Sequence, residues 1–414
     1  MKFKPVLSGI SHTFLVIFFL IPFIMTVSCS IKEKDPQTDF DVSSDVEQVD
    51  TLNIDITESA VDSLFNTGNY YTNANFSDSV RGLYISAYTV ETPDFEKLLS
   101  EAVTTGLNTV VFDLKNMKGE VFFRTAQKRP LPDENIQPII DLPYIIKLLH
   151  GLNLKAVSRV VMFHDQYWAV NDTGVRPETA NGEPWIESER RGPSWLDPSN
   201  PEVQKYLFSL LEEIASSGID EIQLDYIRFP TQGDLSNSIY YFQKEDSVFF
   251  AQDTTYVFRQ REDVITDFVA KAETICSKYG ATLTADVFAI VSWQRESDIS
   301  STGQNIKRLS EHLDAIHPMI YSSHFSDNFG FRNDVHNEPY YLVYKAAKLT
   351  RLYTAPSCKV IPYIQANSYM VNYGKEYVYA EIRAVQDLGL SGYLLWNSQN
   401  NYWSTLSWLQ NYPG

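Results

Sequence analysis

The sequence predicts an α/β fold, a single (β/α)8 TIM barrel with long βα loops after strands 3, 4 and 6, preceded by a disordered N-terminal tether. Three observations carry this expectation. From about Arg81 onward, short β-branched or aromatic runs alternate with helical stretches, the signature of parallel strands joined by crossover helices. There are eight such runs, and eight β/α units over roughly 330 residues fit one barrel with loop insertions. The competing doubly wound sheet would carry a glycine-rich phosphate turn after its first strand, whereas YTVETPDF in that place contains no Gly.

In chain order the expected strands are GLYISAY from Gly82, NTVVFDL from Asn108, LKAVSRVVMF from Leu154, IDEIQLDYIRF from Ile219, ATLTADVF from Ala281, LDAIHPMIY from Leu313, KVIPYIQA from Lys359 and SGYLLWN from Ser391. Each has a helix candidate behind it. Thr92 before Pro93, and Asn200 before Pro201, pair an N-cap residue with proline at the first helical position. Apolar spacing at three and four residues marks helices near Tyr340 to Thr350 and Lys375 to Leu388. The longest connections run from His164 to Trp195, from Thr231 to about Tyr256 and from Ser322 to Glu338. All three follow C-terminal strand ends, the face on which barrel enzymes build their sites.

Residues 1–29 read as a lipoprotein-type export signal: Lys2 and Lys4, an apolar run from Phe14 to Val27, then small residues before Cys29, the expected lipidated thiol. The run is short for a bilayer span of about 20 residues and is interrupted by Pro22. Residues 30–80 are polar and acidic with few large apolar side chains, so they are expected to form a flexible tether. Residues 81–414 form the barrel. The location expected is therefore the cell envelope, periplasmic or surface-facing, with a lipid anchor in the membrane.

Composition excludes several function classes. Lys and Arg total 34 against 52 Asp and Glu, and the net charge of -18 repels phosphate backbones, so nucleic acid is not an expected partner. No Walker loop, dinucleotide fingerprint or closely spaced Cys cluster suggests a cofactor. A metal-dependent hydrolase would need ligands that are not patterned here, since no HxH marks the first strand and no HExxH occurs. Cys276 and Cys358 share no metal-ligand spacing and are expected to be buried free thiols.

Alternate side chains of a strand share a face, so polar residues two apart near a strand's C-terminal end point together into the barrel mouth. Gln223 and Asp225 share such a face on the fourth strand, and Thr282, Thr284 and Asp286 on the fifth. Further polar strand ends are Asp113, Arg159, His317, Tyr321, Gln365, Trp396 and Asn397. Glycoside hydrolysis uses one carboxylic acid and one carboxylate, a pair that Asp225 and Asp286 are placed to supply. Trp396, Tyr88 and Tyr321 are candidates to stack on sugar rings. Arg228, Arg159, Asn397 and Gln365 are candidate donors to hydroxyl groups, and Arg228 alternatively neutralises Asp113 or Asp225. The third loop adds Glu183, Glu187 and Glu189 with Trp185 and Trp195.

GLYISAYT from Gly82, NTVVFDLKNMKGEV from Asn108, WLDPSNPEV from Trp195 with GIDEIQLDYIRFP from Gly218, HPMIYSSHF from His317 and SGYLLWNSQNNY from Ser391 resemble, in order, the family of bacterial (β/α)8 barrels called the putative glycoside hydrolases. The resemblance covers essentially everything from Arg81 onward. It implies a glycosidase-like barrel acting on a polysaccharide, oligosaccharide or cell-envelope glycan. In amylase-like relatives the nucleophilic Asp ends strand four and the acid ends strand five, which correspond here to Asp225 and Asp286. The fifth strand offers Asp where those enzymes usually offer Glu, so a retaining or inverting outcome does not carry over. The alternative is a surface lipoprotein that binds glycan on a glycosidase-like barrel without turnover.

Overall fold

The computed structural model describes residues 80–129, 131–326, 329–331 and 334–413; the export signal, Cys29 and the tether lie outside them. Eight parallel strands form the barrel: β1 Val80–Ile85, β2 Thr109–Lys115, β3 Lys155–Val161, β4 Glu221–Asp225, β5 Thr282–Phe288, β6 Ala315–Ile320, β7 Tyr363–Gln365 and β8 Gly392–Trp396. Each pairs with its successor, and β8 pairs back onto β1, which closes the ring. Closure depends on Gly392, at φ 128 opposite Val80, where an added Cβ would lie 1.8 Å from the Val80 carbonyl oxygen.

Two strands are shorter than expected. The fourth ends at Asp225, because Tyr226 takes a left-handed φ of 50 that cannot continue a strand. The seventh is divided at Pro362, which has no N–H to donate, into Lys359–Val360 and β7.

The outer face of the barrel is apolar and carries the helices. Helix α1, Asp94–Thr104, buries Phe95, Leu98, Leu99 and Ala102, while α2 spans Leu142–Gly151. The helix α3, Pro201–Ala215, buries Val203, Tyr206, Leu207, Leu210, Leu211 and Ile214, a stripe at three- and four-residue spacing. Asn200 caps it by accepting from the N–H groups of Glu202 and Val203, as the sequence suggests. Thr92 does not cap α1; its hydroxyl donates to the Thr89 carbonyl, and the helix starts after Pro93. Further round, α4 spans Arg261–Tyr279, α5 Glu296–Thr302, α6 Pro339–Tyr353, α7 Lys375–Asp387 and α8 Trp403–Leu409. None of the described helices is long and apolar enough to cross a membrane. Cys276 and Cys358 are buried and free.

The connection after β2 is the element that sequence reading missed. Lys115 pairs antiparallel with Val121, and Val121–Phe123 in turn pairs with Ile136–Ile140, extending the sheet over the rim. A register irregularity between Asp113 and Lys115 turns the Lys115 side chain away from the barrel axis. It meets Asp165 at 3.0 Å and the Val161 carbonyl at 2.9 Å, while Arg129 reaches the same carboxylate at 2.7 Å. All three are buried. Burial works against charge at Asp165, but Lys115 and Arg129 outweigh it and hold the carboxyl below its usual range. This cluster fastens the loop after β2 to the loop after β3.

Candidate active site

The barrel interior is filled by alternate residues of every strand, apolar on some strands and polar on others. Tyr84, Val111, Val157, Ala315, Ile361, Tyr363 and Leu394 form the inner apolar contacts, with Tyr321 above them. The polar residues lie on β2 to β6 and form three connected groups.

At the floor, Glu221 accepts from Thr284 at 2.8 Å and from Lys155 at 2.5 Å, with His317 Nε2 3.6 Å away. Although burial opposes it, His317 and Lys155 bring the Glu221 carboxyl down to about 2. The Nδ1 atom of His317 is 2.9 Å from the Ile361 carbonyl. His317, one of the polar strand ends, is thus engaged with the Ile361 carbonyl through Nδ1, while its buried Nε2 finds no hydrogen-bond partner among the described residues. The N-terminal end of the barrel below opens into a basin of about 590 Å³ lined by strand starts such as Val80, Thr109 and Lys155.

One step nearer the mouth, Gln223 donates to Asp286 Oδ1, and its amide also meets the Tyr363 hydroxyl at 3.1 Å. Asp286 is buried and, among the described residues, makes no ion pair with Lys or Arg. Burial raises its carboxyl well above the ordinary range, and the negative charge of Asp225 adds to the effect; Arg159 and Gln223 act in the opposite direction. Asp286 is therefore a carboxyl that retains its proton where an exposed Asp would have lost it.

Arg159 organises the third group. It donates to Asp225 Oδ2 from Nε at 2.9 Å and from Nη2 at 2.5 Å, and to Asp113 Oδ1 from Nη1 at 2.6 Å. Tyr84 donates to the other Asp113 oxygen at 2.6 Å. The Tyr226 N–H donates to Asp225 Oδ1 at 2.6 Å, an arrangement that the left-handed turn at Tyr226 produces. Asp225 thus receives a forked guanidinium and a backbone N–H, donors suited to an anion.

The ion pairs of Asp113 and Asp225 are with Arg159, which lies on the inward face of β3 in register between Asp113 and Gln223. The Arg228 guanidinium lies 4.5 Å from the Phe288 ring centroid, 4.7 Å from that of Trp195 and 5.4 Å from that of Tyr226. His164 packs on Trp195 and Tyr226 at 5.0 Å each, and its Nδ1 is 3.1 Å from the Met117 carbonyl. Burial lowers this imidazole to about 4, so it is neutral at physiological pH.

Aromatic rings line the opposite wall. Tyr321 stacks on Trp396 at 4.5 Å, with His324 5.4 Å from Tyr321 and 6.5 Å from Trp396. Burial pushes the Tyr321 hydroxyl well up, with Asp286 and then Asp225 adding to the shift. Gln365 and Asn397 serve the loops. Gln365 accepts from Ser323 N and donates to the carbonyls of Asn367 and Tyr369, while Asn397 donates to those of Ala366 and Asn401. Tyr88 is exposed on the rim and donates to Glu120 at 2.7 Å.

The structure thus brings Asp113, Arg159, Asp225, Asp286 and Tyr321 together, sets His317 beside Asp286 in register, and engages Gln365 and Asn397 with the loops. Tyr84, Tyr363 and Gln223 join the group without having been singled out as site residues. The same two-residue alternation that pointed to Asp225 covers all three. Among the described residues no group of three or more His, Cys, Asp and Glu is placed to hold a metal ion.

The closed eight-stranded parallel barrel, with helices between its strands, is a (β/α)8 barrel, and its sequence places it among those of glycosidase type. Residues 82–402 match the family described as a putative glycosyl hydrolase domain, and the chain belongs to that family. No curated protein sequence matches. The glycoside hydrolase domain of PgaB (BpsB) from Bordetella bronchiseptica superposes with a TM-score of 0.58 at 13% identity, over 80% of this chain and 98% of its own. A beta-galactosidase from Marinomonas ef1 gives 0.52 at 11% identity, covering 76% of this chain and 53% of its own. Alpha-L-fucosidase isoenzyme 2 from Paenibacillus thiaminolyticus gives 0.50 at 12%, covering 81% and 49%. These are likenesses of fold.

Proposed function

We propose that the protein is a glycoside hydrolase in which Asp225 is the carboxylate and Asp286 the general acid. The observation that carries this reading is the contrast between two carboxyls within one buried network. Asp225 is clasped by Arg159 and the Tyr226 N–H, whereas Asp286 accepts from the neutral Gln223 amide and is raised by burial. A carboxyl held by a guanidinium and a backbone N–H, beside a second one raised by burial, fits the roles of carboxylate and general acid. Glycosidic cleavage needs this pair, the acid to protonate the leaving oxygen and the anion to attack the anomeric carbon or to activate water. The substrate is a polysaccharide, oligosaccharide or cell-envelope glycan, with a sugar ring seated against Tyr321 and Trp396 and a hydroxyl directed to Asp113.

A release assay on purified chain with bacterial and plant polysaccharides tests the reading. Asp225→Asn and Asp286→Asn are each expected to lower turnover by about 10²- to 10⁴-fold. Full activity in both variants would overturn the assignment. Binding of a glycan that neither wild type nor variants cleave would instead support a module that binds without turnover.

The export signal and Cys29 fit a cell-envelope lipoprotein, and this location is part of the same proposal. Cys29→Ala is expected to move the protein out of the membrane fraction. Retention of the variant there would exclude a lipid on this thiol.

A further inference from the structure

Strand β4 stops pairing on one side before the other. Toward β3 the hydrogen bonds continue past its end, with Met162 N donating to the Asp225 carbonyl at 2.8 Å and Phe163 N to that of Tyr226 at 3.4 Å. Toward β5 the register ends at Leu224 opposite Ala285, one residue short of both Asp225 and Asp286. The two carboxyls of the pair therefore stand where the sheet between their strands has opened.

The side chain of Gln304 bridges that opening. It is buried, and both polar atoms of its carboxamide are engaged. Nε2 donates to the Ile227 carbonyl and to the Asp286 carbonyl, each at 3.3 Å, while Oε1 accepts from Phe288 N at 3.1 Å. One amide thus stands in for a rung of backbone pairing, joining the chain two residues beyond Asp225 to the backbone of Asp286 itself. The segment that bears it is fixed in turn. Phe229 N donates to the Thr302 carbonyl at 2.9 Å, Gln304 N donates to Thr302 Oγ1 at 3.0 Å, and Ile306 N donates to the Gln294 side chain at 2.9 Å. Gly303 closes α5 at φ 76, where an added Cβ would lie 2.8 Å from Ile265 Cγ1 and 2.9 Å from the Arg261 carbonyl oxygen, both on α4. Gln304 is therefore set against the strands by a turn that leaves no room for a side chain beside it.

We propose that Gln304 is a positioning residue that sets Asp286 against Asp225, a role that rests on the glycosidase reading of the pair. Asp225 has other supports, the continued pairing with β3 and the forked guanidinium of Arg159. Asp286 is held toward β4 at its carboxyl by the Gln223 amide and at its backbone by Gln304. Without that carboxamide the Ile227 and Asp286 carbonyls and the Phe288 N–H each lose a buried partner, so the end of β5 shifts while Asp225 keeps its place. The group that loses alignment is then the proton donor. A displacement of about 1 Å at such a group costs on the order of 10²-fold in turnover. A leaving group that needs no proton escapes that cost.

Leaving-group dependence tests the proposal. Wild type, Gln304→Met and Gln304→Asn are compared on a polysaccharide that wild type cleaves and on the nitrophenyl glycoside of the same sugar, whose nitrophenolate departs without protonation. Gln304→Asn keeps the carboxamide on a stem too short to span both strands, and it supplies the comparison if the Met variant does not fold. For polysaccharide, kcat/KM is expected to fall about 10- to 100-fold with KM within about twofold of wild type, since the wall of Tyr321 and Trp396 is untouched. For the nitrophenyl glycoside the fall is expected to stay under about threefold. Thr350→Val, which removes a buried hydroxyl bonded to Ser292 at 2.9 Å on α6, is the control, expected to lower the thermal midpoint and leave both constants unchanged. Equal losses on the two substrates, or no loss in the Gln304 variants, overturn the positioning role; if Asp225→Asn and Asp286→Asn abolish cleavage in the same assay, the glycosidase reading stands without it. A wild type that cleaves neither substrate removes the reading and the positioning role together.

Discussion

At the scale of single residues the decisive one is Arg159. A buried arginine between two carboxylates repays its desolvation only through good geometry, and removing it strands buried charge. Arg159→Met is therefore expected to cost about 3–5 kcal/mol in urea unfolding. A loss under about 1 kcal/mol would show that Asp113 and Asp225 do not depend on it. Gln223 permits a subtler prediction. Its amide is one of the groups that lower Asp286, so Gln223→Met should raise that carboxyl further. The acid then keeps its proton to higher pH, and the alkaline limb of the kcat/KM profile is expected to move upward. Movement to lower pH would contradict Asp286 as the acid.

At the scale of elements, two contacts fix how strands and helices meet. Gly392 lets β8 lie against β1, and Gly392→Ala would place a methyl against the Val80 backbone at a φ that side chains avoid. The expected cost is about 3 kcal/mol or more, read as a fall in the urea midpoint, with β8 the first strand to lose amide protection. Helix α7 carries Glu381, fully buried, whose carboxyl burial raises well above its ordinary 4.5, with only the Gln365 backbone acting in the other direction. A raised folded-state value contributes stability that is complete below about pH 4.5 and is lost as pH rises toward that value. The wild type should therefore lose thermal midpoint relative to Glu381→Gln on going from acid to neutral pH. Parallel curves for the two proteins would refute the linkage.

At the scale of the whole molecule, the charge of -18 sets which substrates approach easily. Long-range repulsion slows polyanions, and salt screens it over about 8 Å at physiological ionic strength. Binding of an acidic glycan is expected to tighten as salt rises from low to physiological levels, whereas that of a neutral glycan stays nearly constant. The reverse order would place a local cationic path at the mouth. Barrel architecture also divides the molecule by height. The floor holds Glu221 through Lys155 and Thr284, while the mouth retains Trp396 partly open beside the carboxyls.

Eight alternating segments, the inward face of each strand and the polar ends of β2 to β6 were legible in the sequence, because strand periodicity and helix amphipathicity are local consequences of side-chain order. For that reason Asp225 and Asp286 could be set on inward faces from QLDYIRFP and ATLTADVF alone. Partner choice was not legible. Arg159 and Arg228 are equally basic residues near strand ends, and only the register of β3 between β2 and β4 brings Arg159 to two carboxyls while a left-handed turn at Tyr226 sends Arg228 among aromatic rings. The ribbon after β2 and the ion cluster of Lys115, Arg129 and Asp165 were likewise invisible, since they depend on a bulge and on contacts between separate loops. Sequence by itself determined which polar side chains the strand ends carry and on which face. Tertiary structure alone decided which charges meet, because the burial that raises the Asp286 carboxyl, and the ion pairs of Arg159 with Asp113 and Asp225, arise only when distant strands are closed around them.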